Sequence, residues 1–472
     1  MGRHEKWWYI DGACEVPLPA GVPLRVQAAK GPEWTPLDET VTLGAGQIAL
    51  RFALARWTDS RADGWVSVDT RCHFISPHAA LLEAQAEDVG VANLLATPFP
   101  VLALDSHTYT TTPNLLAFSG QVPALERDGC SVVVNTFNAH PVLGKVALLN
   151  SHRPVFPLAF GGEETDDWGV CDWCDQCHRK KGLTIWADAF EPAGGLLGGS
   201  EALVAALLGK IDAIEVTGGA RKVPLLPWVY KLWDAGFLVP LVGASAKDSN
   251  RTALGSVRTY ADVKRPTPPA PLPEGKGEEG EDPSPTPPPR GEGLRPDGSP
   301  APPPFLGEGV GGRGSSSSSP FPSGRGAGGV GLLTWLEAVR AGRTVVSAGP
   351  LLALARAGDR FRATARSRGE PTPVEVVANG QVVASGQGEA DAAVAEAGWV
   401  AARCPAQGGF AHTSPVAVGS RVRKPEAGAA LRKLVEQTRE WAEAHGRYTN
   451  PKRKQALLDR CTEAIGKLEE PP

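Results

Sequence analysis

A segment near the middle of the chain has a composition that cannot form a packed core. Between Pro266 and Gly329 there are 17 Pro, 15 Gly and 8 Ser among 64 residues, including an unbroken serine run from Ser315 to Ser319. Such a segment has too few apolar side chains to offset the entropy cost of ordering its backbone. The sequence therefore predicts a disordered insertion over residues 265–330, and the ordered fold has to be built from the flanking residues.

The composition of the whole chain is that of a globular protein. Hydrophobic residues make up 42% and charged residues 21% of its 472 residues. At a typical length of about 150 residues per domain, the chain is expected to hold roughly three domains. The formal net charge of −4 provides no broad basic surface, so we expect neither a nucleic-acid partner nor a membrane partner. The expected partner is a small-molecule substrate or ligand.

The hydropathy pattern and the first residues bear on location. The chain has no run of eighteen apolar residues, as a spanning helix requires, and MGRHEKWWYIDG lacks the charged and then apolar pattern of a signal peptide. We expect a cytoplasmic protein for the sequence as written, or an exported one if an upstream signal segment is missing.

Apolar runs alternate with helix-like segments over residues 61–264. Ser76-Pro77 predicts the N-cap and first residue of a helix, and further helices are expected over 167–181, after Ser200 and before Gly236. This alternation predicts a mainly parallel sheet or barrel. The candidate strands are residues 91–95, 132–135, 183–186, 213–216 and 239–242.

Further regions flank this α/β part. Alternating apolar and polar residues over 1–60 predict an N-terminal β-sandwich-like domain, either complete or lacking edge strands. Apolar residues at helical spacing predict a helix and strand over 331–355 that complete the α/β part. Asn379-Gly380 between two β-rich runs predicts a hairpin within a C-terminal β-sandwich over 356–422, and two amphipathic segments over 423–472 predict a helical hairpin.

Polar residues follow several of the apolar runs. In an α/β barrel the reactive groups project from the carboxyl ends of the strands. One imidazole with several carboxylates there suits a divalent metal, which lowers the pKa of bound water and generates a nucleophile. The same residue types also cap helices and tighten turns, so both interpretations are open. The candidates are Asp69, His73, Asp188, Glu215, Asp248 and Asn250.

Several segments follow one another in the order of a known family. They are WWYIDG, AKGPEW, GWVSVDTRCHF, EAQAEDVGVANLLA, LVGASAKDSNRTALGSVRTY and WLEAVRAGRTVVSAGPLL. Together they resemble the CehA/McbA-type metallohydrolases of the PHP (polymerase and histidinol phosphatase) superfamily. The resemblance implies a multidomain α/β plus β protein, in which a PHP-like distorted α/β barrel with a metal site is flanked by β-sandwich domains.

In two of the family's metal motifs, this chain has a positively charged residue where the family has a histidine. Where the family has His-x-His, the sequence reads Arg71-Cys72-His73, so one ligand is replaced and His73 is kept. Where the family has Gly-His before a Leu-rich run, the sequence reads Gly144-Lys145. His140 lies five residues upstream of this lysine and is a candidate substitute.

Two other motifs keep or gain an oxygen ligand. Ala-His-Pro becomes Ala187-Asp188-Ala189, and the late Asp-x-His becomes Asp248-Ser249-Asn250. In place of the two or three metals of the superfamily, the resemblance implies an oxygen-rich site for one Zn, Mn or Fe ion. Its predicted ligands are His73, His140, Asp188 and Asp248, with Asp69, Glu126, Glu215 and Asn250 as additional candidates.

Two functions follow from this pattern. If the site is active, metal-bound water hydrolyses an ester, carbamate or phosphoester. The alternative is a non-catalytic ligand-binding or scaffold protein, a pseudoenzyme that uses the barrel mouth and the β domains. In that case Arg71 and Lys145 either hold an anionic ligand or form ion pairs with Asp188 and Asp248.

A cysteine-rich segment offers a separate interpretation. Cys174-Asp175-Gln176-Cys177-His178 matches the c-type haem attachment pattern. Cys171 and Cys174 also lie at helical spacing with Trp168 and His178, which predicts a buried thiol face of a helix, so no haem is expected. A zinc site from Cys171, Cys174, Cys177 and His178 is the remaining alternative.

Overall fold

The computed structural model describes residues 8–47, 49–102, 108–161, 165–196, 198, 200–218, 222–264, 328–369, 371–405, 409–419 and 423–470. Residues 265–327 of the predicted insertion lie outside the described residues, so its disorder stays a prediction. The last three residues assigned to it, 328–330, begin a helix.

The described residues form 22 β-strands, seven α-helices and one short 3-10 turn over Leu115–Ala117. The strands are β1 Pro23–Ala28, β2 Leu37–Thr42, β3 Trp65–Cys72, β4 Val91–Ala96, β5 Phe99–Leu102, β6 Thr108–Thr111, β7 Leu125–Arg127, β8 Cys130–His140, β9 Gly144–Leu149, β10 Leu183–Ala187, β11 Ala213–Thr217, β12 Leu241–Ala244, β13 Arg258–Asp262, β14 Thr344–Ser347, β15 Leu351–Ala357, β16 Arg360–Arg366, β17 Pro373–Ala378, β18 Gln381–Gln387, β19 Glu389–Ala393, β20 Trp399–Cys404, β21 Ala411–Thr413 and β22 Val416–Ala417. The helices are α1 Pro77–Ala86, α2 Val170–Arg179, α3 Glu201–Leu207, α4 Leu225–Asp234, α5 Gly328–Arg340, α6 Pro425–Ala444 and α7 Pro451–Glu469.

One large sheet runs through most of the described chain. Its strand order is β12-β11-β10-β9-β8-β4-β3-β13-β14-β21-β20-β17-β18. The pairs β3–β4, β4–β8, β10–β11 and β11–β12 are parallel, whereas β8–β9 and β9–β10 are antiparallel. The mainly parallel sheet of the sequence prediction is thus a mixed one. Only three residues separate β8 from β9, which leaves room for a hairpin turn and none for a crossover helix.

The edge strand β12 approaches β3, which lies inside the sheet between β4 and β13. A single parallel bridge joins Cys72 at the end of β3 to Lys247, just after β12, and the Thr70 hydroxyl donates to the carbonyl of Gly243 in β12 at 3.1 Å. In the described residues no continuous ladder joins β3 to β12. The strands therefore curve toward each other, but apart from this single bridge they do not close into a hydrogen-bonded barrel. Helix α5 covers one end of this curl, where Trp335 and Val339 join the same buried cluster as strand residues.

Short-range signals in the sequence correspond to observed elements. Ser76 caps α1 by accepting from the backbone N–H of Ala79. Asn379 and Gly380 both have positive φ, at 46° and 82°, and form the turn between β17 and β18. The predicted C-terminal helical hairpin is confirmed as α6 and α7, which pack on each other and on α3 and α4.

The C-terminal strands continue the large sheet. Strand β14 pairs with β13 on one side and with β21 on the other. A separate three-stranded sheet, β15-β16-β19, shares a core with β17 and β20 that includes Phe361, Val376 and Val400. The described part of residues 1–60 holds one antiparallel hairpin, β1–β2, and a bridge from Trp34 to Arg56, so the N-terminal β-sandwich stays a prediction.

No helix in the described part of the chain has the length and apolar character needed to cross a membrane.

Candidate functional site

Four charged side chains meet where strands of the α/β part end. Arg71 lies at the end of β3, Lys145 near the start of the antiparallel strand β9, Asp188 directly after β10, and Glu215 within β11. Because β9 runs opposite to its neighbours, its first residues lie beside the last residues of β10. We call Arg71, Lys145, Asp188 and Glu215 the strand-end cluster.

Arg71 and Glu215 form a buried bidentate pair. Nε of Arg71 donates to Oε2 of Glu215 at 3.0 Å, and Nη2 donates to Oε1 at 2.7 Å. The two side chains are 9% and 0% exposed. Burial raises the pKa of Glu215, and the guanidinium opposes that rise. The guanidinium also packs on the Phe137 ring at 5.1 Å, so one face of Arg71 is held by an aromatic wall.

Asp188 joins the two cations of the strand-end cluster. Its Oδ1 accepts from Nη2 of Arg71 at 3.1 Å, and its Oδ2 accepts from Nζ of Lys145 at 2.8 Å. Asp188 has a φ of 49°, in the left-handed region, which non-glycine residues seldom adopt. One prediction from the sequence makes Arg71 and Lys145 ion-pair partners of Asp188 and Asp248. The structure pairs both cations with Asp188, and pairs Arg71 with Glu215 instead of Asp248.

His73 lies beside this cluster as a neutral imidazole. Its Nδ1 is 3.0 Å from the carbonyl oxygen of Leu95, which assigns the proton to Nδ1. Burial, and then Arg71, lower the pKa of His73 to about 4. Asp188 and Asp248 oppose that shift, so both carboxylates lie within electrostatic range of the ring. Asp248 and Asn250 are exposed in the loop after β12.

Asp69 has a structural role. The carboxylate is fully buried and accepts from the backbone N–H groups of Ser245 at 3.0 Å, Gly255 at 2.8 Å and Arg71 at 3.2 Å. Burial raises the pKa of Asp69 against the effect of these donors. Asp69 therefore fastens the loop after β12 to the end of β3, which positions the residues around it.

His140 does not join the strand-end cluster. It lies three residues after Phe137 in β8, and side chains at odd separations point to opposite faces of a strand. Its Nδ1 accepts from the backbone N–H groups of Val142 and Leu143, and its Nε2 donates to Asp166 at 3.0 Å. Burial lowers the pKa of His140. Both ring nitrogens are thus engaged away from the site.

Glu126 lies at the other end of the sheet. It is an exposed residue of β7 and pairs with Ser131, near the start of β8, whereas Lys145 of the cluster pairs with Ala139, near the end of β8.

The predicted metal ligands are therefore not assembled as one set. His73, Asp188 and Asp248 lie near one another, while His140 faces elsewhere. Within the described residues, no three His, Cys, Asp or Glu side chains come together as a metal-binding group. Both oxygens of Asp188 contact a cationic group, and those of Glu215 bind one guanidinium, so these carboxylates do not fit a resident divalent metal.

Two residues that shape the site are not among the candidates that the sequence predicts. One is Phe137 of β8, whose ring supports Arg71. The other is Lys247, which is 1% exposed; its Nζ donates to the carbonyls of Ser249 and Thr252 and lies 3.2 Å from Glu83. Lys247 follows the end of β12 by three residues, and a lysine in such a loop carries no sequence signal of its burial.

The cysteines of α2 form the predicted buried face. Cys171, Cys174 and Cys177 are each 0% exposed and belong to a core cluster with residues of α3 and α7. Burial raises the pKa of each thiol, which favours the protonated form. His178 is bonded to Asp212 at 2.9 Å instead of facing the thiols.

A comparison of the chain with protein-family models, with curated proteins and with solved structures finds no match. The resemblance described above stays a prediction, and function has to be inferred from the geometry of the strand-end cluster.

Proposed function

We propose that this chain is a non-catalytic relative of the CehA/McbA-type PHP metallohydrolases, in which an ion-pair cluster stands where the family binds metal. In this proposal the curled strands β3–β12 are a PHP-like distorted barrel, and its mouth binds a small anionic molecule. The observation that carries the proposal is the placement of two cations, Arg71 and Lys145, on the two oxygens of Asp188.

The energetics of the buried pair support this conclusion. A metal at Asp188 and Glu215 would have to displace the Arg71 guanidinium from both carboxylates. Breaking a buried ion pair by removing one partner costs about 3–5 kcal/mol, because the other charge is left without compensation. A displaced Arg71 would also add positive charge beside the metal.

Hydrogen-bond donors remain at the mouth for a ligand. The Lys145 side chain is 44% exposed, and one of the three ammonium protons serves Asp188. Nη1 of Arg71 has no hydrogen-bond partner within the described part of the chain. Donors of this type suit a carboxylate or phosphate group of a small molecule.

Metal content tests the first part of the proposal. We expect untagged protein, dialysed after incubation with Zn or Mn, to hold well under one equivalent by elemental mass spectrometry. Arg71→His/Lys145→His restores imidazoles at both family positions and should raise binding to about one equivalent. Arg432→His/Lys433→His adds two histidines on the exposed face of α6 and serves as the control.

The opposite result would favour the hydrolase hypothesis. Wild-type protein that holds about one equivalent of metal, loses it in Asp188→Asn and hydrolyses an ester or phosphoester would overturn a non-catalytic role.

Phosphate binding tests the second part. Inorganic phosphate should broaden in phosphorus NMR on addition of wild-type protein, and this effect should be lost in Lys145→Met. Equal broadening by both proteins would show that Lys145 holds no anion.

A further inference from the structure

Two exposed phenylalanines lie beside the strand-end cluster. Phe74 follows β3 by two residues, and Phe99 begins β5 three residues after β4 ends. Because β3 and β4 are parallel neighbours, both residues lie at the end of the sheet where the cluster forms. Their ring centroids are 4.8 Å apart, and the two residues are 37% and 43% exposed. The mouth therefore has an aromatic surface open to solvent next to its charged groups.

Aromatic contacts connect this pair of rings to the cluster. The centroid of the His73 ring lies 5.5 Å from that of Phe74 and 5.3 Å from that of Phe137. Phe137 in turn packs against the Arg71 guanidinium. The contacts run without a break from Phe99 to Arg71, so the exposed rings and the strand-end cluster belong to one site.

The backbone of Phe74 indicates that its exposed ring has a function. Its φ is 60°, in a region that bulky side chains seldom adopt and that costs free energy. The preceding residue, His73, is fixed by its backbone N–H, which donates to the carbonyl of Lys247 at 2.7 Å. Because the ring stays 37% exposed, little burial offsets the cost of this conformation. Strained residues of this kind cluster at sites that hold ligands.

The strand order sets the distance between the aromatic and the charged groups. Along the order β3-β4-β8-β9-β10, the aromatic side chains belong to or follow the first three strands, and Lys145 and Asp188 belong to or follow the last two. Only β8 separates the strand of Lys145 from β4, which Phe99 follows. Neighbouring strands are about 4.8 Å apart, so this span is roughly 10 Å. A ring joined to an anionic group by one or two carbons, with a contact at each end, covers such a span.

The exposure of the charged groups favours a carboxylate and sets its orientation. The Lys145 side chain is 44% exposed, against 29% for Asp188 and 9% or less for the other two members of the cluster. An approaching anion therefore meets the ammonium first, and a single carboxylate needs only one such group. Asp248 lies within electrostatic range of His73, on the aromatic side of the mouth. It would repel a carboxylate that was turned to that side.

We propose that the mouth binds a small aryl carboxylate, with the carboxylate on Lys145 and the ring against Phe74 and Phe99. This inference rests on the anion site of the proposed function and names the class of molecule that the site takes.

Fluorine NMR titrations with three probes test this assignment. The probe para-fluorophenylacetate has both groups, para-fluorotoluene has only the ring, and trifluoroacetate has only the carboxylate. We expect para-fluorophenylacetate to bind about three- to tenfold more tightly than trifluoroacetate, as one aromatic contact contributes. It should bind about two- to fivefold more tightly than para-fluorotoluene, as one exposed ion pair contributes.

Variants of the two ends of the site should act on different probes. Phe99→Ala should remove most of the preference for para-fluorophenylacetate and leave trifluoroacetate unaffected, whereas Phe99→Tyr keeps a ring and should keep the preference. Lys145→Met should weaken both carboxylates and leave para-fluorotoluene unaffected. Phe52→Ala is the matched control, because Phe52 is 39% exposed and precedes β3 in the N-terminal region. It should leave all three probes unaffected.

The outcomes separate this proposal from the proposed function. If neither carboxylate probe binds at millimolar concentration and inorganic phosphate does not broaden, the anion site fails and the aryl assignment fails with it. Equal affinity for para-fluorophenylacetate and trifluoroacetate, or a preference that Phe99→Ala leaves intact, would overturn the aryl assignment alone. The thermal midpoint of Phe99→Ala should stay near that of the wild type, since the ring is 43% exposed.

Discussion

Arg71 and Glu215 stabilise the fold only as a pair. Arg71→Met should lower the free energy of unfolding by about 3–5 kcal/mol, because it leaves the fully buried Glu215 without its cation. Arg71→Met/Glu215→Gln should recover part of that loss, since no buried charge then remains at this pair. Urea denaturation at pH 7 measures both values.

Lys145→Met is the control for that comparison. Its ammonium contacts the same Asp188, but the side chain is 44% exposed, so its removal should cost under about 1 kcal/mol. Equal losses for Arg71→Met and Lys145→Met would show that the buried pair is no stronger than an exposed one.

Histidine burial predicts how stability changes with pH. His412 is fully buried; its Nε2 accepts from Tyr230, its Nδ1 donates to the Thr413 carbonyl, and burial lowers its pKa to about 4. The unfolded chain binds this proton near pH 6.5, so the contribution is complete above that pH and is lost as pH falls from about 6.5 to about 4. The full loss of folding free energy from His412 is on the order of 3 kcal/mol. His73, whose pKa is also lowered to about 4, destabilises the fold over the same pH range.

His412→Gln should therefore make stability fall less steeply over this range, measured by urea denaturation at pH 4.5 to 7. His78→Asn changes an exposed histidine and should keep the wild-type slope. An unaltered slope in His412→Gln would mean that His412 is not held neutral.

Local residue patterns in the sequence predicted local structure well. Ser76 and Asn379-Gly380 act through atoms a few residues away, so their geometry follows from their neighbours. Glu215 was a candidate at a strand end, yet its partner Arg71 lies 144 residues earlier. Which charge pairs with which depends on strand order and register, and an isolated sequence contains no direct signal for either.

At the scale of elements, Arg460 is one of several residues that fasten the C-terminal helices to the α/β part. Arg460 of α7 donates to Asp172 at 2.7 Å and to Glu201 at 3.1 Å. Glu201 is 1% exposed and also accepts from the backbone N–H groups of Val170 and Cys171 at the start of α2. The amphipathic pattern predicted both helices, but it did not show which surface they would cover.

Arg460→Met should lower the free energy of unfolding by about 3 kcal/mol, because the buried Glu201 loses its compensating charge. Arg432→Met on α6 is the matched control: Arg432 also contacts two carboxylates, Glu436 and Glu469, but it is 48% exposed and its loss should cost under about 1 kcal/mol. Similar losses for the two variants in urea denaturation would contradict the conclusion that Arg460 compensates a buried charge.

At the scale of the whole molecule, the continuous sheet joins regions that the sequence divides into domains. The sequence predicted a boundary between residues 355 and 356, from the change between the closing strand and a β-rich segment. In the structure β14 pairs with both β13 and β21, so the ladder crosses from the α/β part into the C-terminal strands. Composition and periodicity show where elements begin, whereas sharing of a sheet depends on contacts between distant strands.

This continuity predicts a single unfolding transition for the described regions. Calorimetry should show one peak whose calorimetric and van't Hoff enthalpies agree.

Phe361→Ala empties a 0% exposed position in the C-terminal core and should lower stability by about 3–5 kcal/mol. Because the sheet is shared, the shift should be seen equally by far-UV circular dichroism and by tryptophan fluorescence. Val383→Ala, at a position 47% exposed, should barely move the peak. Two peaks, with only one shifted by Phe361→Ala, would instead support an independent C-terminal β-sandwich from residue 356.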